Sequence, residues 1–138
     1  MNWKSPFILA LLVLGAGCQK PTPPVLVGTY AGQEGRHKVE LTLSEDKTFQ
    51  HKATIENSQQ DSRSVSLLIS GTYSINKKEI TLTPTKARYS DGDAKTIAAL
   101  GPLPKGVLDP MTFTTEWETQ RDLILRSTVR TINLTRKD

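Results

Sequence analysis

Cysteine occurs once in this chain, at position 18, and histidine twice, at 37 and 51. A single cysteine excludes an internal disulfide, so the core must hold the fold unaided. Zinc takes three or four protein ligands, and two histidines among scattered carboxylates do not supply them. A hydrolase nucleophile needs a base that is itself oriented by a third group. His37 stands between Arg36 and Lys38, a poor electrostatic setting for a base. His51 follows Phe49 by two residues, which places it on the core side of a strand near an open end. The chain is therefore read as having no catalytic residue, no metal site and no cofactor. Long apolar runs are scarce too: Phe7 to Leu14 is too short for a bilayer span, which needs roughly 20 apolar residues. Blocks of like charge are absent. The 18 Lys and Arg, less Lys4, meet 14 Asp and Glu interspersed along the chain, an ordinary solvated surface without a nucleic-acid footprint.

What is present begins with a signal. Lys4 and the amino terminus precede the apolar run, and Gly15, Ala16 and Gly17 follow it, the order of a secretory signal peptide over residues 1–17. Leu14-Gly15-Ala16-Gly17-Cys18 resembles the lipobox of bacterial lipoproteins, with Gly15 where leucine is usual and Leu14 one residue earlier. The resemblance implies that the Cys18 thiol receives diacylglycerol and that cleavage leaves it as the new amino terminus. Each buried methylene contributes about 0.8 kcal/mol, so two or three acyl chains anchor firmly where one would not. Gln19, in place of the aspartate that retains such proteins at an inner membrane, implies an outer-membrane location facing the periplasm.

Residues 18–24 form a tether rich in proline, which favours an extended spacer. Residues 25–138 then read as one domain. Their hydrophobic period is two. Val39, Leu41 and Leu43 alternate with polar residues, Ser44 to Lys47 turn the chain, and Phe49, Ala53 and Ile55 resume the alternation: a β-hairpin. Asn57 to Ser64 is a polar loop. Alternation returns from Val65 to Ile75, broken by Leu68, which suggests an end or edge contact, with Gly71 marking a bend or bulge. Asn76 to Lys78 turns into Ile80 to Thr83. Met111 to Trp117, Leu123 to Leu125 and Ile132 to Leu134 complete the pattern, with a first strand near Val27 to Ala31. One short helix is expected, capped by Asp93 and stopped by Gly101-Pro102. The fold class is all-β: an antiparallel barrel or barrel-like sandwich of about eight strands, with one short helix. Lys86 to Pro110 is its least regular part.

Gly28-Thr29-Tyr30, Leu41-Thr42-Leu43, Asp46-Lys47-Thr48-Phe49, Gly71-Thr72-Tyr73 and Ile80-Thr81-Leu82 together resemble small lipocalin-like lipoprotein domains, such as that of the NlpE-type copper-response lipoproteins. The likeness covers about the first half of the mature chain and implies a small barrel behind a lipidated terminus. Those domains carry a C-x-x-C after the first Gly-x-Tyr, where this chain has Gln33-Glu34-Gly35-Arg36, so copper-sensing chemistry is not implied.

Two acidic pairs stand out. Asp91 and Asp93 lack the following glutamate of a calcium loop and read as a polar turn capping the helix. Glu116 and Glu118 share a strand face and read as solubilising charges. The segment Leu103, Pro104, Lys105, Gly106, Val107 and Leu108 places apolar residues in a Gly/Pro-rich loop, as a contact loop would. The expected function is non-enzymatic: a membrane-anchored module binding a small ligand or an envelope protein. The alternative is an inhibitor of an envelope hydrolase such as a lysozyme. Tyr30, Leu41, Phe49, Tyr73, Leu82, Phe113 and Trp117 are expected in the core.

Overall fold

The computed structural model describes residues 24–55 and 64–138. The expected signal peptide, Cys18, most of the tether and nearly all of the Asn57 to Ser64 loop lie outside the described residues. Eight strands follow in chain order: β1 (Gly28–Glu34), β2 (His37–Leu43), β3 (Thr48–Ile55), β4 (Val65–Asn76), β5 (Glu79–Ser90), β6 (Met111–Trp117), β7 (Asp122–Arg126) and β8 (Thr131–Arg136). Each pairs antiparallel with its chain neighbour, and β8 returns to β1 to close the barrel. Closure gives every strand a partner on both sides over at least part of its length, and so limits the exposed sheet edge. One helix, α1 (Ala94–Leu100), stands between β5 and β6.

The alternation sets the register. Tyr30 lies opposite Leu41, Leu41 opposite His51, and His51 opposite Ile69, so one inward layer runs across four strands. Slipping any strand by one residue would turn its apolar set to solvent. The interior is filled: Tyr30, Ile80, Leu123 and Leu125 have 0% exposure. An eight-stranded barrel is just wide enough for side chains to occupy, and this one is a packed core.

Two glycines are dictated by close approach. A Cβ on Gly32 would lie 1.8 Å from the Asn133 carbonyl oxygen, across the seam where β1 meets β8. A Cβ on Gly71 would lie 2.1 Å from the Thr83 carbonyl oxygen. There the β4–β5 register shifts, and Pro84, which cannot donate to the ladder, sits opposite Gly71. The expected bend at Gly71 is thus a bulge that lets a twelve-residue strand pair curve around the barrel.

The turns are also chemically specified. Asp46 Oδ1 accepts from the Thr48 backbone N–H at 3.1 Å and its hydroxyl at 2.6 Å, while Lys47 adopts a φ of 65°. Those bonds hold the exposed Asp46 carboxyl below its ordinary range. The Tyr73 hydroxyl donates to the Ser44 carbonyl at 2.7 Å, tying β4 to the same turn. Asp93 caps α1 as expected, accepting from the Thr96 N–H at 2.7 Å, and Gly101 ends it.

Three expectations need correction. The irregular region does not begin at Lys86: β5 runs to Ser90, because its far half pairs with β4 from Ser66 to Ser70. Leu68 is not at an end or edge. It faces outward on the wall between Lys52 and Arg88, where the flanking aliphatic stems half-bury it. Trp117 is half-buried rather than core, because β6 ends there at the barrel rim.

Candidate functional site

Alternating strand direction gives the barrel two distinct ends. At one, the chain enters through Pro24 to Val27 beside the β4–β5 and β6–β7 turns. At the other lie the β1–β2 and β7–β8 turns and the whole of 91–110.

The entry end is stoppered by three side chains. The Arg136 guanidinium carbon lies 5.4 Å from the Tyr30 ring centroid and 6.0 Å from that of Trp117. The two rings are 6.3 Å apart and inclined at 52°. Arg136 Nη2 donates to the Tyr30 hydroxyl at 2.9 Å and to the Val25 carbonyl, and that hydroxyl donates to the Leu26 carbonyl at 2.6 Å. The last strand therefore clamps the first strand and its lead-in segment. Burial raises the Tyr30 pKa, while the hydrogen bond and charge of Arg136 oppose the shift.

Beside this stopper is a groove of about 580 Å³, lined by Pro24, Leu26, Ile75, Lys77, Lys78, Thr115, Glu116 and Trp117. Its size falls within the roughly 300–1,000 Å³ of small-molecule sites. The walls are mostly apolar, and Lys77 and Lys78 stand on one side. The Thr115 hydroxyl donates to the Lys78 carbonyl at 2.9 Å, fixing the turn against β6. Glu116 accepts from Arg126 Nε at 3.0 Å, so its negative charge is offset locally.

Inside the opposite half of the barrel, the buried imidazole of His51 is 6% exposed, and neither ring nitrogen has a hydrogen-bond partner among the described residues. Burial lowers its pKa below the ordinary 6.5; the charge of Glu34 opposes this and that of Arg130 reinforces it. Those two residues form an ion pair, and Arg130 Nη1 also lies 3.0 Å from Met111 Sδ. His51 is thus a neutral core residue at neutral pH. His37 is exposed at the start of β2. Among the described residues no group of three or more His, Cys, Asp or Glu could hold a metal ion.

Asp91 and Asp93 have structural partners. Asp91 pairs with Lys52 Nζ at 2.7 Å, and its pKa is lowered by bonds from Lys52, Ser66 and Ser90. Asp93 is the helix cap. The sequence-derived contact loop forms successive tight turns, in which the Val107 N–H donates to the Pro104 carbonyl at 3.3 Å and the Asp109 N–H to Gly106 at 3.0 Å. Val107 packs against the core, while Pro104, Lys105 and Gly106 are exposed and Leu108 is 46% exposed. Cys18 lies outside the described residues, and no helix among those described is long and apolar enough to cross a membrane.

Sequence reasoning did not pick out the groove. Asn76-Lys77-Lys78 reads as a solvated turn, and the only hint was a tryptophan closing a strand that feeds a turn.

No family model matches this chain, and no curated protein sequence is significantly similar to it. Among solved structures it is similar to the crystal structure of an uncharacterized protein from Bacteroides eggerthii, at 15% identity and a TM-score of 0.48, covering 80% of this chain and 98% of that one. The fold and its ends define a small closed antiparallel β-barrel with a filled interior.

Proposed function

We propose that this chain is a lipid-anchored, non-enzymatic lipoprotein of the cell envelope that binds an envelope protein through the barrel end remote from its anchor. The reading is carried by one observation: the Leu103 to Leu108 loop and the point of chain entry at Pro24 lie at opposite ends of the barrel. Anchorage through Cys18 then holds the entry end at the membrane and turns the loop towards the periplasm. The filled interior disfavours a small ligand held inside the barrel and favours a protein partner.

Inhibition of an envelope hydrolase is a second reading with its own support. The loop is compact rather than extended, with Lys105 exposed on its turn and Val107 packed inward beneath it.

Radiolabelled palmitate tests the anchor: the natural chain should incorporate it and Cys18→Ser should not. Label on the variant would refute lipidation at Cys18. Capture on the lipidated protein from detergent-solubilised envelope, read against the same capture with lysozyme added as competitor, separates the two partner readings.

A further inference from the structure

We infer that the groove at the entry end is a lipid-docking surface that seats the barrel on an anionic phospholipid leaflet. The inference deepens the proposed function and takes its orientation from lipidation at Cys18. Pro24 lies six positions after Cys18. A residue spans at most about 3.3–3.6 Å, so Pro24 cannot be more than about 20 Å from the anchored cysteine, whatever path the chain takes. Pro24 and Leu26 themselves line the groove, so it is held at the leaflet by covalent connection.

The groove also has the chemistry of a membrane interface. Ile75 on its wall is 42% exposed and neighbouring Val25 is 68% exposed, so two apolar side chains beside the groove are left to water. Trp117 stands half-buried between them and the Tyr30–Arg136 stopper. Tryptophan favours the headgroup level, where an apolar ring body and a polar N–H are both accommodated. Lys77 and Lys78 rise beside this apolar wall. Their stems can lie along lipid while the ammonium groups meet phosphate, an attraction that acts within a Debye length of an anionic surface. The one carboxylate lining the groove, Glu116, is paired with Arg126. A second copy of the chain would also cover an apolar groove. Proximity to the anchor and paired lysines favour phospholipid instead.

Trp117 makes the test direct, since the other tryptophan, Trp3, is in the signal peptide. The lipidated protein is reconstituted into vesicles of mixed phosphatidylglycerol and phosphatidylcholine carrying brominated acyl chains. Trp117 emission should be quenched and blue-shifted. Quenching should fall roughly twofold or more in Lys77→Glu/Lys78→Glu, in Ile75→Ser, and in vesicles of phosphatidylcholine alone. Each variant's circular dichroism must match the natural protein. Unquenched Trp117 on vesicle-bound protein overturns the inference, and so does quenching indifferent to all three changes. Trp117 shielded from soluble acrylamide but not quenched by bromolipid would assign the groove to a second copy. If Cys18 carries no lipid, palmitate labelling shows it separately, and the same quenching is read after adding the protein to the vesicles from outside.

Discussion

Arg136, in the last residue of β8, and Tyr30, in the middle of β1, form a stacked and hydrogen-bonded pair: guanidinium carbon 5.4 Å from the ring centroid, Nη2 2.9 Å from the hydroxyl. The pair joins residues 106 apart in sequence and sets a cation beside two neighbouring aromatic rings, Tyr30 and Trp117, at the barrel's entry end. A planar guanidinium can stack and donate at once, which an ammonium cannot. Arg136→Lys should therefore rescue little. Both Arg136→Lys and Arg136→Ala should lose about 1–3 kcal/mol, the cost of leaving buried hydrogen-bonding groups unpaired. Urea denaturation followed by Trp117 fluorescence checks this, and full stability in the lysine variant would mean that charge alone matters here.

The seam between β1 and β8 gives a steric prediction. Gly32→Ala puts a methyl group 1.8 Å from the Asn133 carbonyl oxygen, where only backbone could yield. The loss should reach or exceed about 3 kcal/mol, the upper part of the usual range for overpacking. Gly35→Ala is the control. Its methyl group meets nothing within 4 Å, but its φ of +60° is left-handed, so about 1–2 kcal/mol of conformational strain is expected. Thermal unfolding should rank the two in that order. The reverse ranking would show that the seam can open.

How much of this was legible in the sequence depended on range. Val39, Leu41 and Leu43 announce their strand because alternation is local, and Asp93 announces its helix because a cap acts over three residues. The need for glycine at 32 is set by Asn133, and the Glu34–Arg130 pair joins residues 96 apart, so no sequence window contains either. Leu68 broke the pattern because an outward leucine can be sheltered by neighbouring stems, which composition does not reveal. The groove was illegible for the same reason: Leu26, Ile75 and Trp117 come together only when β1, β4 and β6 reach one end of a closed barrel. The Leu103 to Leu108 segment was visible as chemistry, while its position at the far end from Pro24 came only with topology.

His51 makes stability depend on pH. Its folded-state pKa lies below the ordinary 6.5, chiefly through burial. As pH falls through the unfolded value, the unfolded chain takes up a proton that the native imidazole refuses, and stability drops. The natural protein should thus lose melting temperature between about pH 7 and pH 5, above the range in which most carboxylates titrate. His51→Leu, flanked by Leu41 and Ile69, should flatten that slope. A variant that keeps the full slope would place the responsible proton elsewhere.

The Leu103 to Leu108 loop gives the last prediction. Val107 is the one loop residue packed against the core, whereas Lys105 and Leu108 face solvent. Losing a partly buried valine from the margin of a core anchored by Leu123, Leu125 and Phe113 should cost only about 1–2 kcal/mol, below the loss for a central side chain. Replacing Leu103 to Leu108 with a Gly/Ser linker should therefore leave a cooperative barrel with a slightly lower melting temperature, while the envelope protein recovered by capture on the natural chain is lost. The narrower change Leu108→Ser with Lys105→Glu keeps Val107 and should lose the same partner with no change in melting temperature. If the linker variant fails to fold, the double substitution still decides the matter, because it touches only exposed side chains. Should both variants fold and both retain the partner, binding lies away from this loop, and the adjacent β1–β2 and β7–β8 turns become the surface to mutate next.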